Sequence, residues 1–200
     1  MSKTFASLLL ACVFALSVFI SPVSAQQKHE YAPLEEKTFT YRDWTFPRLG
    51  DNTPVNLRQF AAGKKLVLVV YYAPWCPNWQ YEAPVVAKLY NKYKSQGFDV
   101  IAVNEYAPTA DSQKFFGSNG APYTVVVESV GGNARDTSTH AGYRKLTGDA
   151  RKWGSPYNIF LEPARLTASG DVLTESAWVV QGELIEKDAE RFIRARLGLK

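Results

Sequence analysis

The chain has 200 residues, of which 46% are hydrophobic and 21% charged, with 13 glycines and 11 prolines. This length and composition predict one globular domain with a substantial core, and they exclude a disordered or collagen-like chain. With only two cysteines, the chain has neither a disulfide framework nor a cysteine-based zinc site.

The amino terminus has the pattern of a secretory signal peptide. Lys3 precedes an apolar run from Leu8 to Ile20, and Val23-Ser24-Ala25 supplies small residues where a signal peptidase cleaves. We expect residues 1–25 to be removed and the mature protein to be periplasmic or secreted, without a stable membrane span. Cys12 follows a sequence that faintly resembles a lipoprotein cleavage box, but the apolar run continues past it, which favours ordinary cleavage over a lipid anchor.

Removal of these residues leaves a mildly basic protein with one thiol. The net charge falls from +4 to +3, because the segment contains one base and no acid. That charge is too small to predict a nucleic-acid partner. Cys76 is then the only cysteine in a compartment that oxidises thiols. His29 and His140 lack the spacing of metal ligands, so we expect neither a metal site nor a cofactor.

The first half of the mature chain predicts a βαβ unit. Residues 26–38 are polar and predict a loose lead-in to a domain over 39–200. Aromatic and β-branched residues on either side of a turn at residues 49–52 predict a hairpin that joins Phe39–Phe46 to Val55–Leu57. Leu66 to Tyr72 is typical of a strand buried on both faces. A helix from about Pro77 to Gln96 and a parallel strand over Phe98–Asn104 follow.

The second half predicts further alternation of strands and helices. We expect a helix over residues 109–116, an extended segment over 123–127, an antiparallel pair over 157–161 and 172–180, and a last helix over about 183–197. Residues 128–153 carry no motif that predicts a function, and their bases Arg144, Lys145, Arg151 and Lys152 predict a solvated face. The element order predicts an α/β fold with a mixed central sheet flanked by helices.

Cys76 lies where a central strand gives way to a helix. Open α/β sheets bind and react at the carboxyl ends of their strands. The unpaired N–H groups at a helix start favour an anion, and therefore a thiolate over a thiol. Pro77 suits the first helical position.

The pattern Trp75-Cys76-Pro77-x-Trp79-x-x-Glu82-x-Pro84 resembles the extracytoplasmic thioredoxin-like thiol–disulfide oxidoreductases of the TlpA/ResA type. The resemblance covers Phe39 to the carboxyl end and includes the N-terminal hairpin, and it implies a thioredoxin-like fold. Ser155-Pro156 matches the family's cis-proline loop, which faces the reactive cysteine and offers backbone groups to a bound peptide. Glu82 matches a helix glutamate implicated in proton movement.

The chain departs from this family at Trp79, which stands where the family has its second cysteine. Without that thiol, Cys76 cannot close an intramolecular disulfide. Two kinds of chemistry remain: a mixed disulfide resolved by an external thiol, or oxidation to a sulfenic acid cleared by an external reductant.

Three hypotheses follow for the function. In the first, the protein exchanges thiols and disulfides with proteins or small molecules through Cys76, with Glu82 as a proton relay. Trp75, Trp79 and the Ser155-Pro156 loop then contact the substrate. The resemblance also leaves open that Trp79 fills the missing cysteine's space and that Glu82 is a helix-surface acid.

In the second hypothesis, the protein is a catalytically inactive binding or chaperone-like module. In the third, it is a weak one-cysteine peroxidase, although Val69 and Ala73 stand where peroxiredoxins have proline and a hydroxyl residue.

Overall fold

The computed structural model describes residues 29–200; the predicted signal peptide and Cys12 lie outside the described residues. The strands are β1 (Glu35–Arg42), β2 (Thr45–Pro47), β3 (Pro54–Asn56), β4 (Leu66–Tyr72), β5 (Phe98–Asn104), β6 (Thr124–Val127), β7 (Tyr157–Leu161) and β8 (Val172–Val180). The helices are α1 (Leu57–Ala61), α2 (Pro77–Tyr93), α3 (Thr109–Phe116), α4 (Thr139–Thr147) and α5 (Glu186–Leu197). No helix within residues 29–200 is long and apolar enough to cross a membrane.

Six strands form one mixed sheet in the order β1-β8-β7-β4-β5-β6. β4, β5 and β6 are parallel to one another, whereas β7, β8 and β1 add to the sheet in antiparallel pairs. Every residue of β4 is buried, which fits its uninterrupted run of apolar and aromatic side chains. The predicted α/β fold with a mixed sheet is confirmed.

Side chains that alternate along β4 face two separate cores. Leu66, Leu68, Val70 and Tyr72 pack with α2 and α5, whereas Val67, Val69 and Tyr71 pack with residues of α1 and α4. Helices therefore cover both faces of the sheet. α2 begins directly beyond the carboxyl end of β4, which places its first turn at the sheet edge where ligands bind in such folds.

The predicted N-terminal hairpin is confirmed, but its first strand is different. The hairpin pairs β2 with β3, and β1 instead pairs with β8 at the edge of the sheet. β1 begins at Glu35, inside the segment interpreted as a loose lead-in. The pattern is ambiguous here because β1 and β2 are separated by only two residues, so one continuous strand fits the residue types equally well.

One predicted boundary and one surface prediction are wrong. The last helix begins at Glu186, and Glu183 lies before it as a buried residue. Arg144 is buried and Arg151 is partly buried. Both bind the carboxylate of Asp149, whose side chain is only 2% exposed. The predicted solvated basic face is therefore in part an internal ion-pair cluster, and residues 128–153 contain α4.

Candidate functional site

Cys76 occupies the position that the sequence predicts, at the start of α2. It is the N-cap residue, with Pro77 as the first helical residue. Its backbone N–H donates to the carbonyl of Ala73 over 2.9 Å, in the short turn that follows β4. The side chain is free of any disulfide and only 7% exposed. The sulfur is therefore close to the surface and largely covered.

The loop before β7 covers the sulfur. The Ser155-Pro156 peptide bond is cis, and the Cys76 thiol donates a hydrogen bond to the Ser155 carbonyl oxygen at 3.1 Å. Ser155 also accepts, through Oγ, a hydrogen bond of 2.9 Å from the backbone N–H of Ala73. Two segments about 80 residues apart in the chain are thus joined on both sides of the thiol. The structure brings together Cys76 and the predicted cis-proline loop.

Trp75 forms the exposed side of the site. Its side chain is 42% exposed, and its ring meets Trp153 edge to face with centroids 5.2 Å apart. Trp153 in turn lies against Tyr106, at a centroid distance of 5.4 Å. The sequence did not predict a role for Trp153. Its position only three residues before the cis-proline is the signal that could have indicated one.

Trp79 does not lie on the surface of the site. It is completely buried, and its ring packs on Tyr72 at 4.6 Å and on Phe115 at 5.9 Å. Its Nε1 has no hydrogen-bond partner within the described residues. No part of the indole reaches solvent, which does not fit the expectation that Trp79 contacts substrate. The alternative, that Trp79 fills the space of the missing cysteine, agrees with this packing.

Glu82 is not a helix-surface acid but a buried carboxyl. It is 2% exposed, and its Oε2 accepts hydrogen bonds from the backbone N–H of Leu184 (2.6 Å) and from Asn158 Nδ2 (3.2 Å). Oε1 is buried without a partner among the described residues. Burial raises the pKa of Glu82 from 4.5 to about 8, and the neighbouring carboxyl of Glu183 adds to the increase. The group therefore changes its charge near neutral pH.

Glu183 lies next to Glu82 and fastens the amino-terminal segment. Its Oε2 lies 2.7 Å from His29 Nδ1, and its Oε1 accepts the backbone N–H of Glu30 at 2.8 Å. The helical pattern did not predict this residue as buried, since an acid before a helix is also typical of an exposed first turn.

His140 is enclosed by aromatic side chains. It is completely buried, its Nδ1 lies 2.9 Å from the Tyr106 hydroxyl, and its ring stacks on Tyr71 at 4.8 Å. Burial lowers its pKa well below 6.5, so the imidazole is neutral. Within residues 29–200, no group of three or more His, Cys, Asp or Glu side chains is placed to hold a metal ion.

A cysteine at the start of a helix, facing a cis-proline loop on a mixed sheet, defines a thioredoxin-like protein of the thiol–disulfide oxidoreductase class. The Redoxin family profile matches residues 36–149, more than half of the chain, so the chain belongs to the Redoxin family.

Two named relatives match parts of the chain. The thiol-disulfide oxidoreductase ResA of Halalkalibacterium halodurans is 34% identical over 64 residues, which are 32% of this chain and 36% of that protein. The protein disulfide-isomerase of Saccharomyces cerevisiae is 28% identical over 127 residues, which are 64% of this chain and 22% of that protein. The alignment thus spans about a third of the length of the ResA relative.

Solved structures share the fold over most of the chain. A candidate thiol:disulfide interchange protein DsbE from Chlorobium tepidum is 25% identical with a TM-score of 0.56, over 83% of this chain and all of that one. The thioredoxin domain of a thiol-disulfide oxidoreductase from Bacteroides vulgatus has a TM-score of 0.56 at 20% identity, over 80% of this chain and 98% of that one. These matches agree with the thioredoxin-like fold.

Proposed function

We propose that the protein exchanges thiols and disulfides through Cys76 alone, with an external thiol completing each cycle. The hydrogen bond between the Cys76 thiol and the Ser155 carbonyl carries this proposal, since it joins the only described thiol to the loop that binds peptides in related folds. Trp75 is the exposed aromatic surface next to that thiol, and Pro156 follows Ser155 in the loop.

The proposed reaction has three exchanges. The Cys76 thiolate attacks one sulfur of a substrate disulfide, that disulfide breaks, and the other substrate sulfur leaves as a thiolate with the electron pair. An external thiolate then attacks the Cys76 sulfur of the mixed disulfide, and the second substrate sulfur leaves as a thiolate. A second external thiolate attacks the new bond, which releases the Cys76 thiolate and the disulfide of the external thiol. An ionised sulfur has no hydrogen to donate to the Ser155 carbonyl, so activation frees the sulfur from the loop. The same step leaves that carbonyl free to accept from a bound peptide.

Glu82 enters the proposal as a group that holds a proton behind the site. Its pKa of about 8 lets it gain or lose a proton near neutral pH, whereas a solvated glutamate stays ionised there. Its hydrogen bonds within the described residues are to Leu184 and Asn158, so any effect on Cys76 is indirect. A flattened pH profile of the exchange rate in Glu82→Gln, with the rate at low pH retained, would support this role.

The proposal is tested by trapping the mixed disulfide. In a full-length chain with Cys12→Ser, Cys76 is the only thiol. On incubation of the folded protein with dipyridyl disulfide, we expect one adduct by intact mass, which added thiol then removes. Cys76→Ser should form none. An adduct that forms only in denaturant would contradict the proposal, because it would show that the native fold seals the sulfur.

The second candidate function is an inactive binding module, and the burial of Trp79 in place of a resolving thiol favours it. Trp79→Cys distinguishes the two. Where the surroundings of Cys76 still support exchange, this variant should close an intramolecular disulfide and reduce a test disulfide in repeated turnovers. A variant that folds and has two free thiols, but no such activity, would favour the binding module.

We propose a site of action outside the cytoplasm, because the sequence of residues 1–25 has the pattern of a cleaved signal peptide. Expression in a bacterium with an outer membrane should yield a periplasmic protein whose first residue is Gln26. A cytosolic product that retains Met1 would contradict this location.

A further inference from the structure

A basic cavity lies beside the predicted site. It has a volume of about 470 Å³ and is formed by α4 and by the loop that leads from α4 to the cis-proline. Its charged lining residues are five bases, Arg135, Arg144, Lys145, Arg151 and Lys152, and two acids, Asp136 and Asp149. The lining therefore carries a formal charge of +3.

Part of this positive charge is available to a ligand. Asp149 is already bound by Arg144 and Arg151, Arg151 also lies 3.5 Å from a carboxylate oxygen of Glu30, and Arg135 is paired with Asp136. Lys145 and Lys152 are exposed, and neither has an acidic group within 4 Å in the part of the chain that the structure describes. The charge left for a ligand is therefore that of these two lysines.

The cavity and the thiol share one loop. Arg151 lines the cavity and donates through Nη2 to the Pro156 carbonyl at 2.9 Å. The residue before that proline, Ser155, holds the Cys76 thiol through its own carbonyl. Arg151 therefore connects the cavity to the loop whose Ser155 carbonyl covers the sulfur.

A second set of contacts joins the cavity to the exposed tryptophans. The Lys152 ammonium lies 5.9 Å, and the Arg135 guanidinium 5.6 Å, from the ring of Trp153. That ring packs against Trp75, the neighbour of Cys76. Two cations of the cavity therefore border the aromatic surface that leads to the thiol.

We propose that this cavity binds the carboxylates of a small anionic thiol, which resolves the mixed disulfide at Cys76. This inference rests on the proposed function, because a chain with Trp79 in place of a second cysteine needs a thiol from outside. A small molecule suits a sulfur that is only 7% exposed beneath a loop. The cavity also has a volume in the range of small-molecule sites, roughly 300–1,000 Å³.

The resolving steps balance with two molecules of the small thiol. The first thiolate attacks the Cys76 sulfur of the mixed disulfide, and the substrate sulfur leaves as a thiolate with the electron pair. Cys76 is then bonded to the small thiol. A second thiolate attacks that bond, which releases the Cys76 thiolate and the disulfide of the small thiol. The substrate is reduced and two small thiols are oxidised.

The experiment measures how fast thiols of different charge reach Cys76. The full-length chain with Cys12→Ser is converted to its thiopyridyl mixed disulfide, and release of thiopyridone is followed with mercaptosuccinate (anionic), 2-mercaptoethanol (neutral) and cysteamine (cationic). Each rate is divided by the rate with the thiopyridyl disulfide of free cysteine, which removes intrinsic differences between the thiols. We expect the normalised rate to be highest for mercaptosuccinate and to fall as salt is added.

Two double variants test the cavity itself. Lys145→Ala with Lys152→Ala should lower the ratio of the mercaptosuccinate rate to the 2-mercaptoethanol rate by about tenfold. Lys65→Ala with Lys187→Ala changes the charge equally, at exposed lysines outside the cavity, and should leave the ratio unchanged. Equal ratios in all three proteins would overturn the cavity proposal and leave the proposed function standing. Failure of the native protein to form the mixed disulfide would instead overturn the proposed function.

Discussion

The N-cap and the buried face of α2 differ in what they offer to a substrate. The N-cap is Cys76, which lies next to the half-exposed Trp75 and faces the cis-proline loop. The buried face carries Trp79 and Glu82, which are 0% and 2% exposed. An exposed tryptophan and a cis-proline loop lie beside the thiol, whereas the position that holds a resolving thiol in the TlpA/ResA pattern belongs to the core. The start of the helix is thus the part that the proposed function uses, and the buried face of the helix contributes to stability.

The largest expected effect comes from the buried face of α2. Trp79→Ala should lower the free energy of unfolding by about 3–5 kcal/mol, because it leaves a cavity between Tyr72 and Phe115. Urea denaturation followed by circular dichroism measures this loss. Trp75→Ala is the matched control and should cost less than about 1 kcal/mol, because that ring is 42% exposed. Similar losses of unfolding free energy in both variants would remove the distinction between the N-cap region and the buried face.

The next effect concerns the charge of Glu82. The folded protein holds the Glu82 proton to about pH 8, whereas the unfolded chain releases it near 4.5. The contribution of this group to stability is therefore complete below pH 4.5 and is lost as the pH rises through 8. Glu82→Gln should remove this loss, so that relative to the wild type it gains on the order of 2–4 kcal/mol between pH 5 and pH 9. Denaturation at both pH values measures it; parallel pH dependence in the two proteins would show that Glu82 ionises normally.

A smaller effect is expected at Ser155, which joins the cis-proline loop to the turn before α2. Ser155→Ala removes the acceptor of the Ala73 backbone N–H, which is then buried without a partner, and should cost about 1–3 kcal/mol. The same variant should raise the rate at which thiol reagents label Cys76, because the loop is held less tightly over the sulfur. Ser169→Ala, at an exposed serine, is the control and should change neither measurement. A loss of stability without faster labelling would mean that the loop does not limit access.

The smallest effect on stability is expected for Trp75→Ala, which should act mainly on the rate of disulfide exchange. Trp75→Ala should slow exchange with a peptide disulfide several-fold and leave exchange with a small aliphatic disulfide nearly unchanged, because only the peptide is long enough to contact the ring. Stopped-flow measurements with the two disulfides give the ratio. An equal decrease for both would place Trp75 in the packing of Cys76 rather than on the substrate surface.

The sequence predicted the elements that carry their signal locally. β4 and β5 have uninterrupted apolar runs, and their ends match the prediction to the residue. Cys76 was placed by a family pattern of fixed spacing, and Pro156 by the match of Ser155-Pro156 to the family's cis-proline loop. Both parts of the site therefore could be predicted without knowledge of the packing around them.

The remaining features depend on contacts outside the helix that carries each residue. A glutamate at position 82 has the same local pattern on a surface as in a core, and its buried hydrogen bonds are with Leu184 and Asn158. Arg144 fits the pattern of a solvated base, but Asp149 and Gly154, which follow α4, enclose it: a Cβ at Gly154, whose φ is +57°, would overlap the guanidinium. Burial that is created by such contacts leaves no signal in the helical pattern.

The amino-terminal segment reaches both margins of the main sheet. β1 pairs with β8 at one margin, and the residues after β2 bond to β6 at the other, where Leu49 N–H donates to Val125 at 2.9 Å. Unpaired strand margins are templates for association with other chains. Proteolysis that removed residues 35–56 would expose both edges of the sheet at once. We expect the cleaved protein to aggregate even where its Cys76 site is intact.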